Sequence, residues 1–329
     1  MIGGIQNLVH HADAAVARAY LAMFRERSAV MSFLFHSLFH DEREIACGHL
    51  DPLQRTTVAE FRQFVEYYVD QGYRFITPAD LVAGLPGDGR YVMITFDDGY
   101  YSNYLALPIL EQFNVPATFF ISSNHVRQNK SYWWDVVYRQ RLAQGGSPGD
   151  AYDEALSMKR LRTEEIEARL LERFGPDALT PRTDIDRPMT PDELRAFARH
   201  PLVHIGNHTA NHAILTNYTP DEIRRQLAEC QSALVEMTGK TPIAIAYPNG
   251  GHDGTVVRIA REVGLTVGVT VRPAKNRLGP ASDLLRLNRF CPDGPMPMRT
   301  QCRTFRSDVL IYGIFRECYL RLFRGQVAQ

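Results

Sequence analysis

The sequence predicts an α/β fold: a (β/α) barrel, closed or slightly irregular, with a helical insertion and flanking terminal helices. Three observations carry this. Short apolar runs of strand length alternate with segments of helical periodicity, which implies a parallel sheet. The alternation repeats often enough to suit a closed or nearly closed barrel better than an open sheet, with one interruption at about residues 127–188. Polar residues gather just past the ends of several separate strands, the rim on which such barrels carry their chemistry.

The elements follow in order. Residues 5–27 read as a helix, with Leu8, Ala15, Ala19 and Met23 at helical spacing. Val30 to Phe35 is an apolar run of strand length that ends on His36. Thr57 to Gln71 is helical, with Phe61, Phe64, Val65 and Tyr68 as its buried stripe and Gly72 as its stop. Tyr91 to Phe96 is a strand halted by Asp97, Asp98 and Gly99. Ser102 to Phe113 is a helix that Pro108 would kink, and Ala117 to Ile121 is again a strand. Residues 127–188 are rich in charge, contain Gly145 to Gly149, and read as a mostly helical insertion in a barrel loop. Thr190, Pro191 and Glu193 form a helix start in capping-box order. Strands at 202–205, 243–246 and 265–271 then alternate with helices at about 220–237 and 254–263. The expected organisation is an N-terminal helix at 1–29, a barrel at 30–295 and a C-terminal amphipathic helix at 296–329.

Composition sets bounds. The 329 residues carry 37 Lys plus Arg against 37 Asp plus Glu, so no bulk field draws the protein to nucleic acid. Cys47, Cys230, Cys291, Cys302 and Cys318 are scattered, without a CxxC pair, which argues against a disulfide framework or a zinc knot and favours a reducing compartment. The N-terminus lacks the pattern of a signal peptide and no apolar run is long enough to span a bilayer. A cytoplasmic location is therefore expected.

Two motifs carry candidate chemistry. Asp97, Asp98 and Gly99 close a strand; as a bare sequence they could be an ordinary turn. His208 and His212 stand four apart, a spacing that puts two imidazoles on one helical face, where they could grip one ion or be ordinary histidines. Together they offer one carboxylate and two imidazoles to a metal, leave coordination positions open, and spare a second carboxylate as a base.

TFDDG (95–99), ATFFIS (117–122), HIGNHTANH (204–212) and AYPNGG (246–251) resemble the motifs of the polysaccharide deacetylase family, carbohydrate esterase family 4, also called the NodB-homology family. The resemblance runs from Met31 to Phe290, apart from the insertion. It implies that Asp97 is the catalytic base, that Asp98, His208 and His212 hold a divalent metal, usually zinc, and that the Tyr247-Pro248-Asn249 segment lines the site. The Asn249 N–H would serve the oxyanion. Two positions depart from the family pattern. Ala246 stands where an arginine often orients the base, and Asn249 stands where Tyr or Trp is common. The general-acid motif Leu-x-His does not follow the other motifs but precedes them, as Leu34-Phe35-His36. That order resembles the circularly permuted branch that includes poly-N-acetylglucosamine deacetylases, and it makes His36 the expected acid.

The expected reaction is metal-dependent hydrolytic N-deacetylation of an N-acetylated sugar, such as N-acetylglucosamine, in a glycan or glycan precursor. A non-catalytic carbohydrate-binding module that keeps the fold is the competing reading. A glycosidase is disfavoured, because adjacent carboxylates cannot readily flank a glycosidic bond. Arg289 could replace the missing arginine beside Asp97, or be a surface residue. His204 is expected to pack, Trp133 and Trp134 to anchor the insertion or stack on sugar rings, and His125 is a weaker candidate for the cleft wall. The segment Arg303 to Arg324 is apolar on one face and basic on the other, which suits docking on protein or peripheral contact with the inner face of a membrane.

Overall fold

The computed structural model describes residues 2–51, 55–279 and 282–309, with side chains from residue 8 onward. Its strands are β1 (Ala29–Phe35), β2 (Arg74–Phe75), β3 (Arg90–Phe96), β4 (Ala117–Ile121), β5 (Val203–Asn207), β6 (Ala244–Ala246), β7 (Val267–Val269) and β8 (Arg289–Phe290). All pair in parallel in the order β7-β6-β5-β4-β3-β1-β8, and β2 is an extra partner of β3. The two ends of this order meet through a parallel bridge between Val269 and Leu287. Leu287 N donates to Gly268 O at 2.8 Å and Thr270 N to Leu287 O at 2.7 Å. The sheet therefore curls into a barrel whose β7–β8 seam is held by a few bonds rather than a full ladder. At β5–β6 the register is a single pair, Asn207 with Ile245.

Sequence chemistry accounts for the elements. Thr57 and Thr190 cap the helices Val58–Asp70 and Pro191–Ala198 through reciprocal bonds with Glu60 and Glu193. Pro108 does not kink a continuous helix: a 3-10 turn at Tyr101–Ala106 passes into the helix Leu107–Phe113 with Pro108 at its start, where its missing N–H is not needed. The residues of β1 alternate between barrel interior and helical layer. Phe33 and Phe35 meet Phe61, Phe64 and Tyr68 of the Val58–Asp70 helix at ring separations of 4.8 to 5.2 Å. Each such fully buried aromatic contributes roughly 1.5–3 kcal/mol of apolar transfer, so this layer fixes β1 beside β3.

The interruption at 127–188 contains the helices Trp133–Ala143, Pro148–Met158 and Thr163–Phe174, which share a small core of Val136, Val137, Ile166 and Leu170. The sequence did not reveal β2, β8 or the short helix Pro78–Ala83, because runs of two to six residues carry too little periodicity to stand out. Within the expected C-terminal helix, the structure forms Met298–Phe305 and ends it at Arg306, with turn and bend at 306–308, so the helix is not unbroken from 296; the rest of the expected segment, with Leu310, Ile314 and Arg316 to Arg324, lies outside the described residues. Asp308 is bonded to Lys275 at 3.0 Å, and the neighbouring Asn276 pairs with Val30 at the start of β1. The described chain thus ends near the face opposite the strand ends that carry the motifs.

Candidate active site

The turn after β3 sets the site. Asp98 and Gly99 both adopt left-handed backbone, with φ of 77° and 86°. A side chain at 99 would bring its Cβ within 2.8 Å of Ile121 Cδ1, so glycine allows this turn to lie against β4. The strained turn sends two adjacent carboxylates to different partners, which avoids the repulsion that a shared environment would impose.

Asp97 meets Arg289. The guanidinium forks onto it, Nη1 to Oδ1 at 2.7 Å and Nη2 to Oδ2 at 2.8 Å. It also donates to Thr95 Oγ1 at 3.0 Å and Thr270 O at 2.8 Å. Arg289 is 1% exposed, so it is no surface residue; it reaches from β8 the place that Ala246 cannot serve. Burial pushes the Asp97 carboxyl up, but Arg289 and His208 outweigh it and hold its pKa below the usual carboxylate range. Asp97 is thus kept ionised.

Asp98 lies between two imidazoles. Its Oδ1 is 3.3 Å from His208 Nε2 and 3.4 Å from His212 Nε2. The other nitrogen of His208, Nδ1, is 2.7 Å from the carbonyl of Ala246, which can only accept. Nδ1 therefore carries the proton in neutral His208, and Nε2 presents a lone pair to Asp98. Both Asp98 oxygens are buried without a hydrogen-bond partner. A fully buried carboxylate facing two imidazole nitrogens is costly unless a cation joins them. The three ligand atoms lie within 4.8 Å of one another, so the donor set fits a divalent metal with three protein ligands. Burial and the neighbouring His208 lower the pKa of His212 far below its ordinary value, which keeps it neutral. For His208, the carboxylates outweigh burial and raise it.

The two histidines do not share a helix. After β5 they lie on an irregular loop, with Thr209 and His212 at φ of 64° and 51°. The i, i+4 reasoning assumed a helical geometry that the chain does not adopt, yet the loop still brings the two imidazoles together beside Asp98. His36, just past β1, lines the same cleft, with Nε2 3.9 Å from Asp98 Oδ2. Asn249 and Pro248 follow β6; Asn249 lines the cleft, while Pro248 is buried beneath it. Tyr247 faces away: it is fully buried, its hydroxyl donates to Leu285 O at 2.9 Å and its ring stacks on His252. It anchors the turn rather than lining the cleft.

The cleft encloses about 550 Å³, a size that suits a small ligand or a few linked rings. Trp133 packs into the insertion core, while Trp134 sits over the His212 ring at 4.5 Å. His125 is not in the cleft wall: it is buried, stacked on Tyr132 at 4.0 Å, and burial beside Lys130 lowers its pKa to about 3. His204 stands on β5 away from the cleft lining. Sequence reasoning missed Lys159, whose Nζ donates to Asn249 Oδ1 at 2.9 Å, and Tyr132, whose hydroxyl donates to the backbone carbonyl of Asp98 at 2.5 Å. Nothing in the local pattern of a helical insertion marks either residue.

A family model described as polysaccharide deacetylase matches residues 85–268. That match begins after His36 and ends before Arg289, so both are contributed from outside it. YxkH of Bacillus subtilis (strain 168), named provisionally as a polysaccharide deacetylase, is 23% identical over 224 residues. The aligned part is 67% of this chain and 60% of that protein, so the chain spans about 60% of the length of this curated relative. Among solved structures, the deacetylase PplD of Streptococcus pyogenes is similar with a TM-score of 0.57 at 20% identity, covering 85% of this chain and 99% of that one. IcaB of Ammonifex degensii gives 0.56 at 19%, covering 86% and 99%. A de-N-acetylase of Aggregatibacter actinomycetemcomitans gives 0.51 at 16%, covering 80% and 94%. At these identities the likeness is one of fold.

Proposed function

This chain belongs to the polysaccharide deacetylase family, and from that membership we propose that it hydrolyses the acetamide of an N-acetylated sugar, in a glycan or a glycan precursor, with a divalent metal. The observation that carries the reading is the buried Asp98 carboxylate, which makes no hydrogen bond and faces His208 and His212, next to a second carboxylate held apart by Arg289. A sugar-binding module that had lost its chemistry would have no use for an ionised base beside a metal site. Asp98, His208 and His212 would hold the metal, and their oxygen and nitrogen donors suit zinc.

When bound, the metal supplies Lewis acidity that polarises the scissile carbonyl and acidifies water. Asp97 takes the proton of the attacking water, and Arg289 holds its carboxylate ionised and in one orientation. The turn at Asn249 presents its backbone N–H to the oxygen on which charge develops. His36, whose Nε2 lies nearest the Asp98 oxygen that the other two histidines do not contact, protonates the departing amine. The products are acetate and a free amino sugar.

The direct test is acetate release, with mass spectrometry of chitooligosaccharides and other N-acetylated glycans for loss of acetyl groups. Expected are acetate release by the metal-loaded protein, loss of it on chelation and recovery on adding zinc. Intact glycans throughout the panel would count against the reading. The role of His36 has its own signature. An amine leaves poorly without a proton, whereas an activated phenolate needs none. His36→Ala is expected to slow amide hydrolysis by about 10²-fold or more and hydrolysis of an aryl acetate far less. Equal losses on both substrates would remove His36 from the acid role.

A further inference from the structure

The insertion touches the catalytic loops at several points. Tyr132 donates to the Asp98 carbonyl and Trp134 covers the His212 ring. Thr163 Oγ1 lies 3.4 Å from the His212 carbonyl, and Lys159 Nζ bonds to Asn249 Oδ1 at 2.9 Å. The base of Lys159 is itself fixed. Asn217, on the loop that follows the histidines, donates through Nδ2 to the carbonyls of Lys159 at 3.0 Å and Leu161 at 2.9 Å. The segment 159–163 thus bridges the histidine loop and the turn after β6.

The turn is the part in need of support. Asn249 has φ 54° and ψ 16°, left-handed backbone that asparagine tolerates better than most residues but only at a cost. Below it, Gly250 is pressed on Val271, where a Cβ would come within 2.5 Å of Val271 Cγ2. The turn is therefore packed on one side and exposed on the other, and on the exposed side Lys159 holds the Asn249 side chain. We propose that Lys159, supplied by the insertion, is a positioning residue for the cleft-lining Asn249 turn: it orders the turn whose backbone N–H is assigned above to the oxyanion, and so acts on turnover rather than on substrate binding. This rests on the deacetylase reading for its kinetic consequence, though not for its structural one.

Two measurements test it. The first does not need activity. Amide hydrogen exchange in the peptide that contains 247–251 is expected to quicken in Lys159→Ala and return towards wild type in Lys159→Arg, which keeps a donor. Unchanged exchange in Lys159→Ala would overturn the proposal. The second is kinetic, on the metal-loaded full chain. Misplacing a reacting group by about 1 Å can cost up to about 10²-fold, so Lys159→Ala is expected to lower kcat by about tenfold or somewhat more while KM stays within about twofold. Lys159→Arg should recover most of that loss. Asn249→Gly removes both the side chain that Lys159 holds and the backbone penalty, so adding Lys159→Ala to it should lower kcat no further. A rise in KM at unchanged kcat, or equal losses in both backgrounds, would mean that Lys159 acts on the substrate or elsewhere, and would overturn it. A wild-type protein that releases no acetate from any glycan would defeat the deacetylase reading instead, and the exchange measurement would still decide the role of Lys159.

Discussion

Asp97→Asn is expected to keep its metal and lose turnover by on the order of 10²- to 10⁴-fold, because the amide cannot accept the proton that a general base must take. The structure adds a second consequence. Arg289 is buried and bonds to both Asp97 oxygens. Neutralising Asp97 leaves that guanidinium beside an uncharged partner, and breaking a buried pair in this way typically costs about 3–5 kcal/mol. Thr95 and the Thr270 carbonyl still bond to Arg289, which places the expected loss at the lower end of that range. Thermal melting should therefore fall together with activity. The double variant Asp97→Asn with Arg289→Met removes the stranded charge and should regain stability without regaining turnover. If Asp97→Asn retained substantial deacetylation at full metal content, Asp97 would not be the base.

The second large effect concerns the three candidate ligands, and its sign differs among them. Asp98→Ala, His208→Ala and His212→Ala should each lower metal content, measured by mass spectrometry of the washed protein, by more than the roughly 10- to 100-fold in affinity that follows loss of an outer-shell partner. Turnover should fall with occupancy. Without metal, however, Asp98 is a buried carboxylate with no hydrogen-bond partner. At a pH above the raised pKa of His208, where neither imidazole carries a charge to pair with Asp98, its removal relieves a desolvation penalty of about 1–3 kcal/mol or more, so the metal-free Asp98→Ala protein should there melt higher than the metal-free wild type. His208→Ala and His212→Ala leave the carboxylate in place and should not show this gain. Wild-type metal content in all three variants would refute the ligand set.

The sequence brought some residues within reach and left others hidden, for one physical reason. Asp97, Asp98, His208 and His212 were legible because each pair is local: a turn motif at a strand end and two imidazoles four apart. The local geometry itself was misjudged for the histidines. Helical spacing was assumed, yet Thr209 and His212 sit in left-handed backbone, on a loop held by bonds from Thr209 N to Asn207 Oδ1 and from Ala213 N to Thr209 Oγ1. Tyr247 was placed with the cleft because it adjoins Pro248 and Asn249, but alternation along an extended chain turns adjacent side chains to opposite sides, and its hydroxyl reaches Leu285 instead.

By itself, the sequence determined the alternation of strands and helices, the capping box at Thr190 and the strand ends that carry polar residues. These follow from hydrophobic periodicity and from side-chain bonds to backbone within a few residues, both of which are written locally. Only the tertiary structure decided which distant groups meet. Arg289 reaches Asp97 across 192 positions, and Lys159 reaches Asn249 across 90. Periodicity carries no record of such pairs. Arg289 arrives because the parallel sheet curls until β8 lies beside β1, and Lys159 arrives because Asn217 ties the insertion to the histidine loop. A charge on β8 reads as surface until closure buries it, and closure is a property of the whole sheet rather than of any one strand.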